Sequence, residues 1–172
     1  VVSRMGLEIR LRRAIQDQQL DLHFQPKVDT VSRRIVGAES LLRWHDGEKQ
    51  IPPDRFIPVA EESGLILPIG EWVIDRAIAQ IAQWRTQYAD LIPITINLSP
   101  RQFWRPSVSR HIIDGLLAAG VPSSALEVEV TESVLLDADS GCIDELMCLR
   151  DAGVRIALDD FGTGYSSLSY LH

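Results

Sequence analysis

Long apolar runs are missing from this 172-residue chain. No stretch approaches the ~18 residues a membrane-spanning helix needs, and no charged-then-apolar leader opens the sequence. These absences lead us to expect a cytoplasmic protein with no membrane contact by this segment, any tether lying in regions outside it. Cysteine is scarce, with only Cys142 and Cys148. Six positions apart in a stretch that reads as helix, they fall on roughly opposed faces, too distant for a disulfide. Two free thiols in a reducing compartment are expected. The histidines, at 23, 45, 111 and 172, are scattered and lack an HExxH or CxxC partner, which argues against a zinc site. Net positive charge is also missing: the balance is −7, which excludes a passive basic track for duplex nucleic acid. An acidic chain still binds a phosphorylated ligand when divalent metals supply positive charge locally.

What is present is ordinary for a soluble domain, with 45% hydrophobic and 24% charged residues and enough length for one sizeable core. Met5 to Gln19 carries leucine and isoleucine at helical spacing, so residues 1–19 read as a linker and N-terminal helix following an upstream domain, and 20–172 as the domain itself. Leu20 to Val28 alternates like a half-buried strand, and Ile35 to Leu42 forms a second. Asp46-Gly47 marks a turn, and Pro52-Pro53-Asp54 starts a short helix over Arg55 to Glu61. Helices are expected over Gly70 to Tyr88, Val108 to Gly120 and Ser140 to Ala152, the last two stopped by glycine. Strands are expected over Ile92 to Leu98, Leu126 to Val130 and Val154 to Leu158. Such alternation gives a parallel sheet covered by helices, either open and doubly wound or closed into a β/α barrel. No GxGxxG or GxxxxGK follows a strand, which weakens the nucleotide-fold alternative.

The informative feature is where polar residues sit. Glu39 lies in the latter half of the second strand, Asn97 and Glu129 near the ends of the third and fourth, and Asp159-Asp160 directly after the fifth. In a β/α barrel these strand ends converge on the face where active sites lie. Clustered carboxylates repel unless a cation compensates them. An all-oxygen ligand set selects magnesium, manganese or calcium, and two such metals can drive phosphodiester hydrolysis. Each residue has a plain alternative: Asp159 or Asp160 as a helix cap, Glu39 paired with Arg43, Asn97 ordering a turn. Spacing alone reaches a β/α barrel with a divalent-metal site and leaves the reaction open.

At these positions the sequence resembles the EAL-domain cyclic di-GMP phosphodiesterases. The matching segments run in family order: FQPKVD at 24–29, IVGAESLLRW at 35–44, FIPVAEESGLI at 56–66, INLSPRQF at 96–103, LEVEVTES at 126–133 and ALDDFGTGYSSLSYL at 157–171. The resemblance implies a TIM-like (β/α) barrel that hydrolyses cyclic di-GMP to linear pGpG in bacterial signalling with Mg2+ or Mn2+. It implies Glu39, Asn97, Glu129 and Asp159 as ligands of the first metal, Asp159 shared with the second, and Asp160 as a ligand of the second. Glu39, Asp159 and Asp160 are the catalytic candidates, Arg43 and Gln25 the substrate-binding ones. Glu132 corresponds to a glutamate that anchors the loop from Asp160 to Ser167 and links metal binding to dimer contacts. A homodimer and an upstream GGDEF or sensor domain are further expectations, as is the alternative of a non-catalytic sensor or dimerising regulator. The signature triplet here reads Glu39-Ser40-Leu41, with serine where the family usually has alanine. The family's barrel continues with strands carrying a lysine, a glutamate and a glutamine that do not follow before His172. The expectation is therefore a C-terminally truncated barrel with an incomplete second-metal site, open sheet edges and no activity as 172 residues alone.

Overall fold

Period-two alternation builds the first hairpin. Strand β1 (Leu20–Val28) buries Leu20 and Leu22, half-buries Phe24, and exposes Asp21, His23 and Gln25 in alternation with them. It pairs antiparallel with β2 (Ile35–Asp46), setting Gln25 opposite Glu39, His23 opposite Leu41 and Asp21 opposite Arg43. The computed structural model describes residues 4–88, 90–104, 107–131 and 140–159. Strand β2 runs four residues past its expected end at Leu42. The expected turn at Asp46-Gly47 forms, with Gly47 at a left-handed φ of 63° that favours glycine. It returns the chain into a short strand not expected from the sequence, β3 (Lys49–Ile51), antiparallel to β2.

Ahead of the hairpin lies α1 (Arg4–Gln16), which buries Leu7, Leu11 and Ala14 on one stripe. Pro53 opens α2 (Pro53–Ser63), and Gly64 ends it at φ 76° by returning its N–H to Glu61. The following helix, α3 (Ile66–Gln87), starts four residues before the expected Gly70. Pro68 does not block this start, because N–H groups of a first turn have no intrahelical acceptor to lose. Then come β4 (Ile94–Asn97), a one-turn helix α4 (Pro100–Phe103), α5 (Val108–Ala118), β5 (Leu126–Thr131), α6 (Ser140–Asp151) and β6 (Arg155–Asp159). The turn α4 was not anticipated, although Ser99 and Gln102 form a reciprocal capping box around it, and the S-x-x-Q spacing is its signature.

Strands β2, β4, β5 and β6 are parallel, in the sheet order β1-β2-β4-β5-β6 with β3 beside β2. Strand order follows chain order without the reversal that defines a doubly wound sheet, so of the two expected architectures the barrel-type sheet is the one formed. One sheet face packs against the helices through Trp44, Ile94, Ile96, Leu126 and Val128, all fully buried, together with Phe56, Ile69, Ile74, Ile81, Ile112 and Leu149. As expected, no disulfide joins Cys142, which is buried, and Cys148, which is exposed.

Candidate metal centre

The opposite sheet face is polar. On β5, Leu126, Val128 and Val130 are buried while Glu127, Glu129 and Thr131 alternate with them half-buried. Ladder registers then determine which side chains meet. Asn97 lies beside Glu129, and Thr131 lies beside Asp159. Asn97 Nδ2 donates to Glu39 Oε1 at 3.0 Å. Glu39, Asn97 and Glu129 are therefore contiguous across three strands, with Asp159 at the end of the fourth. Glu39 takes Asn97 as partner, while Arg43 Nη1 donates to the carbonyl of Leu42 at 3.0 Å, so the plain Glu39–Arg43 pairing is not the one formed.

Charge on this face is organised in two levels. At the lower level Lys27, opposite Gly37 on the hairpin, reaches Glu127 Oε1 at 3.1 Å, 100 residues along the chain. The lysine side chain thus reaches past β2 and β4, the two strands between β1 and β5, and passes over Gly37, where a Cβ would stand 3.8 Å from Lys27 Cδ, an ordinary contact. Thr95 Oγ1 donates to the same Glu127 oxygen at 2.8 Å. At the upper level are the carboxylates of Glu39, Glu129 and Asp159. Burial pushes the Glu129 carboxyl up, and Asp159, Glu39 and Glu127 push it further, against the opposing pull of Lys27. A bound divalent cation would reverse this repulsion, and the donors are all hard oxygens suited to magnesium or manganese. The residues therefore fit such an ion.

An open cavity of about 290 Å³ adjoins the upper level; Arg43, Asn97, Glu129, Asp159, Glu61 and Ser99 line it together with apolar residues such as Leu42, Ile57 and Ile69. Ser99 Oγ donates to Glu61 Oε1 at 2.8 Å, and Ser99 N donates to Gln102 Oε1 at 2.9 Å. These bonds anchor the turn that leaves β4 directly after Asn97. Gln102 lies so close to α3 that a Cβ on Gly70 would stand 2.0 Å from its Nε2. None of Glu61, Ser99, Gln102, Lys27 or Glu127 was singled out from the sequence. The capping-box spacing would have found Ser99 and Gln102, and the alternation of β5 would have found Glu127.

Gln25 faces Glu39 across the hairpin, exposed on the polar side. Asp160 and Glu132 lie outside the described residues. The hairpin also gathers side chains that are far apart in sequence: Asp21, His23 and His45 each present a ligand atom within 4.8 Å of the others.

The family model described as "EAL domain" matches residues 8–172. Among curated relatives, the oxygen sensor protein DosP of Escherichia coli is 40% identical over 99% of this chain and 22% of its own length. The bifunctional diguanylate cyclase/cyclic di-GMP phosphodiesterase MucR of Pseudomonas aeruginosa is 44% identical over 94% of this chain and 24% of its own length. The chain thus spans about a quarter or less of these relatives. The solved structure of the PaMucR phosphodiesterase in complex with c-di-GMP superposes with a TM-score of 0.87 at 42% identity, covering 96% of this chain and 67% of that one.

Proposed function

This chain belongs to the EAL-domain family, and from that membership we propose that it hydrolyses cyclic di-GMP to linear pGpG at its oxygen-lined strand ends. The observation that carries the reading is the contiguity of Glu39, Asn97 and Glu129 across three neighbouring strands, with Asp159 beside them and Arg43 on the same cavity. Relatives of this family named as cyclic di-GMP phosphodiesterases, and a structure solved with that dinucleotide, support the substrate.

Glu39, Asn97, Glu129 and Asp159 would hold Mg2+ or Mn2+, with Asp160 as a further ligand for a second ion; such ions polarise the phosphate and lower the pKa of water. The chain's own groups supply the rest. Glu39 is held in place by the Asn97 carboxamide, and Asn97 by the Ser99–Gln102 turn that follows it. Arg43 offers a guanidinium fork to a phosphate oxygen, and Gln25 a carboxamide on the hairpin wall. In the reaction one water oxygen bonds to phosphorus, the bond to the 3′ oxygen breaks, and a proton ends on the released 3′ hydroxyl. Dimerisation, Glu132 as an anchor for the Asp160 loop, and a sensor or GGDEF partner domain belong to the same proposal.

The test is an assay of the gene product containing these residues with cyclic di-GMP and manganese, followed by chromatography of the products. We expect linear pGpG, its loss in excess chelator, and a rate at least about 100-fold lower for Glu39→Gln, the order seen when metal coordination is disturbed. Turnover undiminished by chelator would overturn the metal reading. Tight binding of the dinucleotide without turnover would replace the enzyme with a sensor.

A further inference from the structure

We propose that Asp21, His23 and His45 form a second metal site, for a borderline transition ion of the zinc type, chemically separate from the oxygen-lined centre. Twenty-two positions separate the two histidines in sequence, and the β1–β2 hairpin removes that distance. Asp21 and His23 are successive residues on the exposed side of β1. His45 comes next to them because its N–H donates to the Gln19 carbonyl at 2.9 Å, extending the hairpin ladder past Leu20 and Trp44. The two imidazole rings stand 6.3 Å apart between centroids, and His23 Nε2 lies 3.8 Å from Asp21 Oδ2. The other carboxylate oxygen, Oδ1, accepts the N–H of Leu22 at 2.8 Å. That bond fixes the orientation of Asp21 and leaves Oδ2 directed at the histidine.

Ligand atoms sharing one zinc stand about 3.3 Å apart, given metal bonds of about 2.0–2.2 Å. The three atoms here already lie within 4.8 Å of one another, and all three side chains are exposed, so ordinary torsional adjustment closes the gap. Arg43, directly opposite Asp21, does not fill the space with its own charge: its guanidinium turns to the Leu42 carbonyl. Two imidazoles and a carboxylate suit borderline ions such as zinc, nickel, copper or iron, of which zinc is the redox-inert probe, whereas the all-oxygen set of Glu39, Asn97, Glu129 and Asp159 suits magnesium or manganese. Three protein ligands leave at least one position open for water or an anionic oxygen.

The experiment is a calorimetric titration of zinc into tag-free protein kept in millimolar magnesium, which occupies the oxygen-lined centre. We expect one zinc equivalent, with affinity at least about tenfold weaker in His23→Ala and in His45→Ala and unchanged in Glu39→Gln. Zinc should also raise the melting temperature of the wild type and leave that of the two histidine variants where it was. Absence of zinc binding, or binding indifferent to both histidine changes, overturns the site. Loss of zinc binding in Glu39→Gln alone shows instead that zinc enters the oxygen-lined centre. The phosphodiesterase reading is tested by turnover and fails or stands independently of these outcomes.

Discussion

Neighbouring residues of β4 face opposite sides of the sheet: Ile94 and Ile96 are wholly buried against the helices, while Thr95 and Asn97 join the acidic side chains of β2 and β5. Strands buried on both faces of a parallel sheet ordinarily read as continuous apolar runs. Here the strands alternate, because only the helix side is an apolar core. The apolar face supplies stability through dispersion and burial. The polar face concentrates like charge, which raises the Glu129 carboxyl and which a bound cation would offset.

The largest effect should come from exchanging one residue on each face of that strand. Ile96→Ala should cost about 2–5 kcal/mol of unfolding free energy, a large part of a domain's margin. Asn97→Ala, one residue on, should change stability by no more than about 0.5 kcal/mol, as for an exposed polar group, while removing most manganese-dependent turnover. Urea denaturation and the dinucleotide assay on both variants test this. Equal destabilisation by both would show that the polar face is as structural as the core.

A second exchange that joins the two faces is Gly70→Ala. The new methyl would stand 2.0 Å from Gln102 Nε2, and Gln102 cannot withdraw without releasing the Ser99 N–H, one half of the capping box at α4. The expected cost is about 1–2 kcal/mol, from overpacking and the lost cap, with a lowered rate because the turn after Asn97 moves. A thermal melt and an activity assay together check it; a stable variant at full rate would detach this turn from the site.

Periodicity revealed one face far better than the other. The apolar stripe of α3 and the alternation Leu126 to Thr131 each encode their partner surface locally, so elements and core were legible. Glu39, Asn97, Glu129 and Asp159 were legible as well, because parallel strands bring their ends to one edge. What stayed hidden depends on pairs distant in sequence: Lys27 with Glu127, Glu61 with Ser99, His23 with His45. Such pairs follow from strand register and tertiary packing, and no local pattern announces them. Scattered histidines argue against zinc in the sequence, and only the hairpin register brings His23 and His45 together.

On the cavity side, Arg43→Ala should weaken cyclic di-GMP binding by about 1–3 kcal/mol, the range for a hydrogen bond to a charged group. Folding should be little affected, since Arg43 bonds only to its own neighbour's carbonyl among the interactions described. Calorimetry with cyclic di-GMP and with GMP checks this. Equal affinity for both nucleotides, or no effect of the substitution, would remove Arg43 from the binding surface.

The smallest effect concerns the lower level of the polar face. Burial pushes the Glu127 carboxyl up, but the Thr95 hydroxyl and the Lys27 ammonium outweigh it and hold the folded value below the ordinary one. A carboxylate depressed in the folded state contributes stability above its unfolded pKa and loses it as pH falls through the folded value. Lys27 is 37% exposed, so solvent screening limits the ion pair to about 0.5–1 kcal/mol. Lys27→Met should accordingly destabilise the protein by that amount at pH 7. The gap from wild type should close as pH falls well below the ordinary glutamate range, near ~4, where Glu127 is protonated in both proteins. In a Glu127→Gln background the same substitution should have almost no effect at either pH. Urea denaturation of the four proteins at pH 7 and pH 3 measures the coupling directly. A gap that persists at low pH would mean that Lys27 acts through its aliphatic stem over Gly37, whereas a gap in the Glu127→Gln background at pH 7 alone would mean that it acts on Glu129.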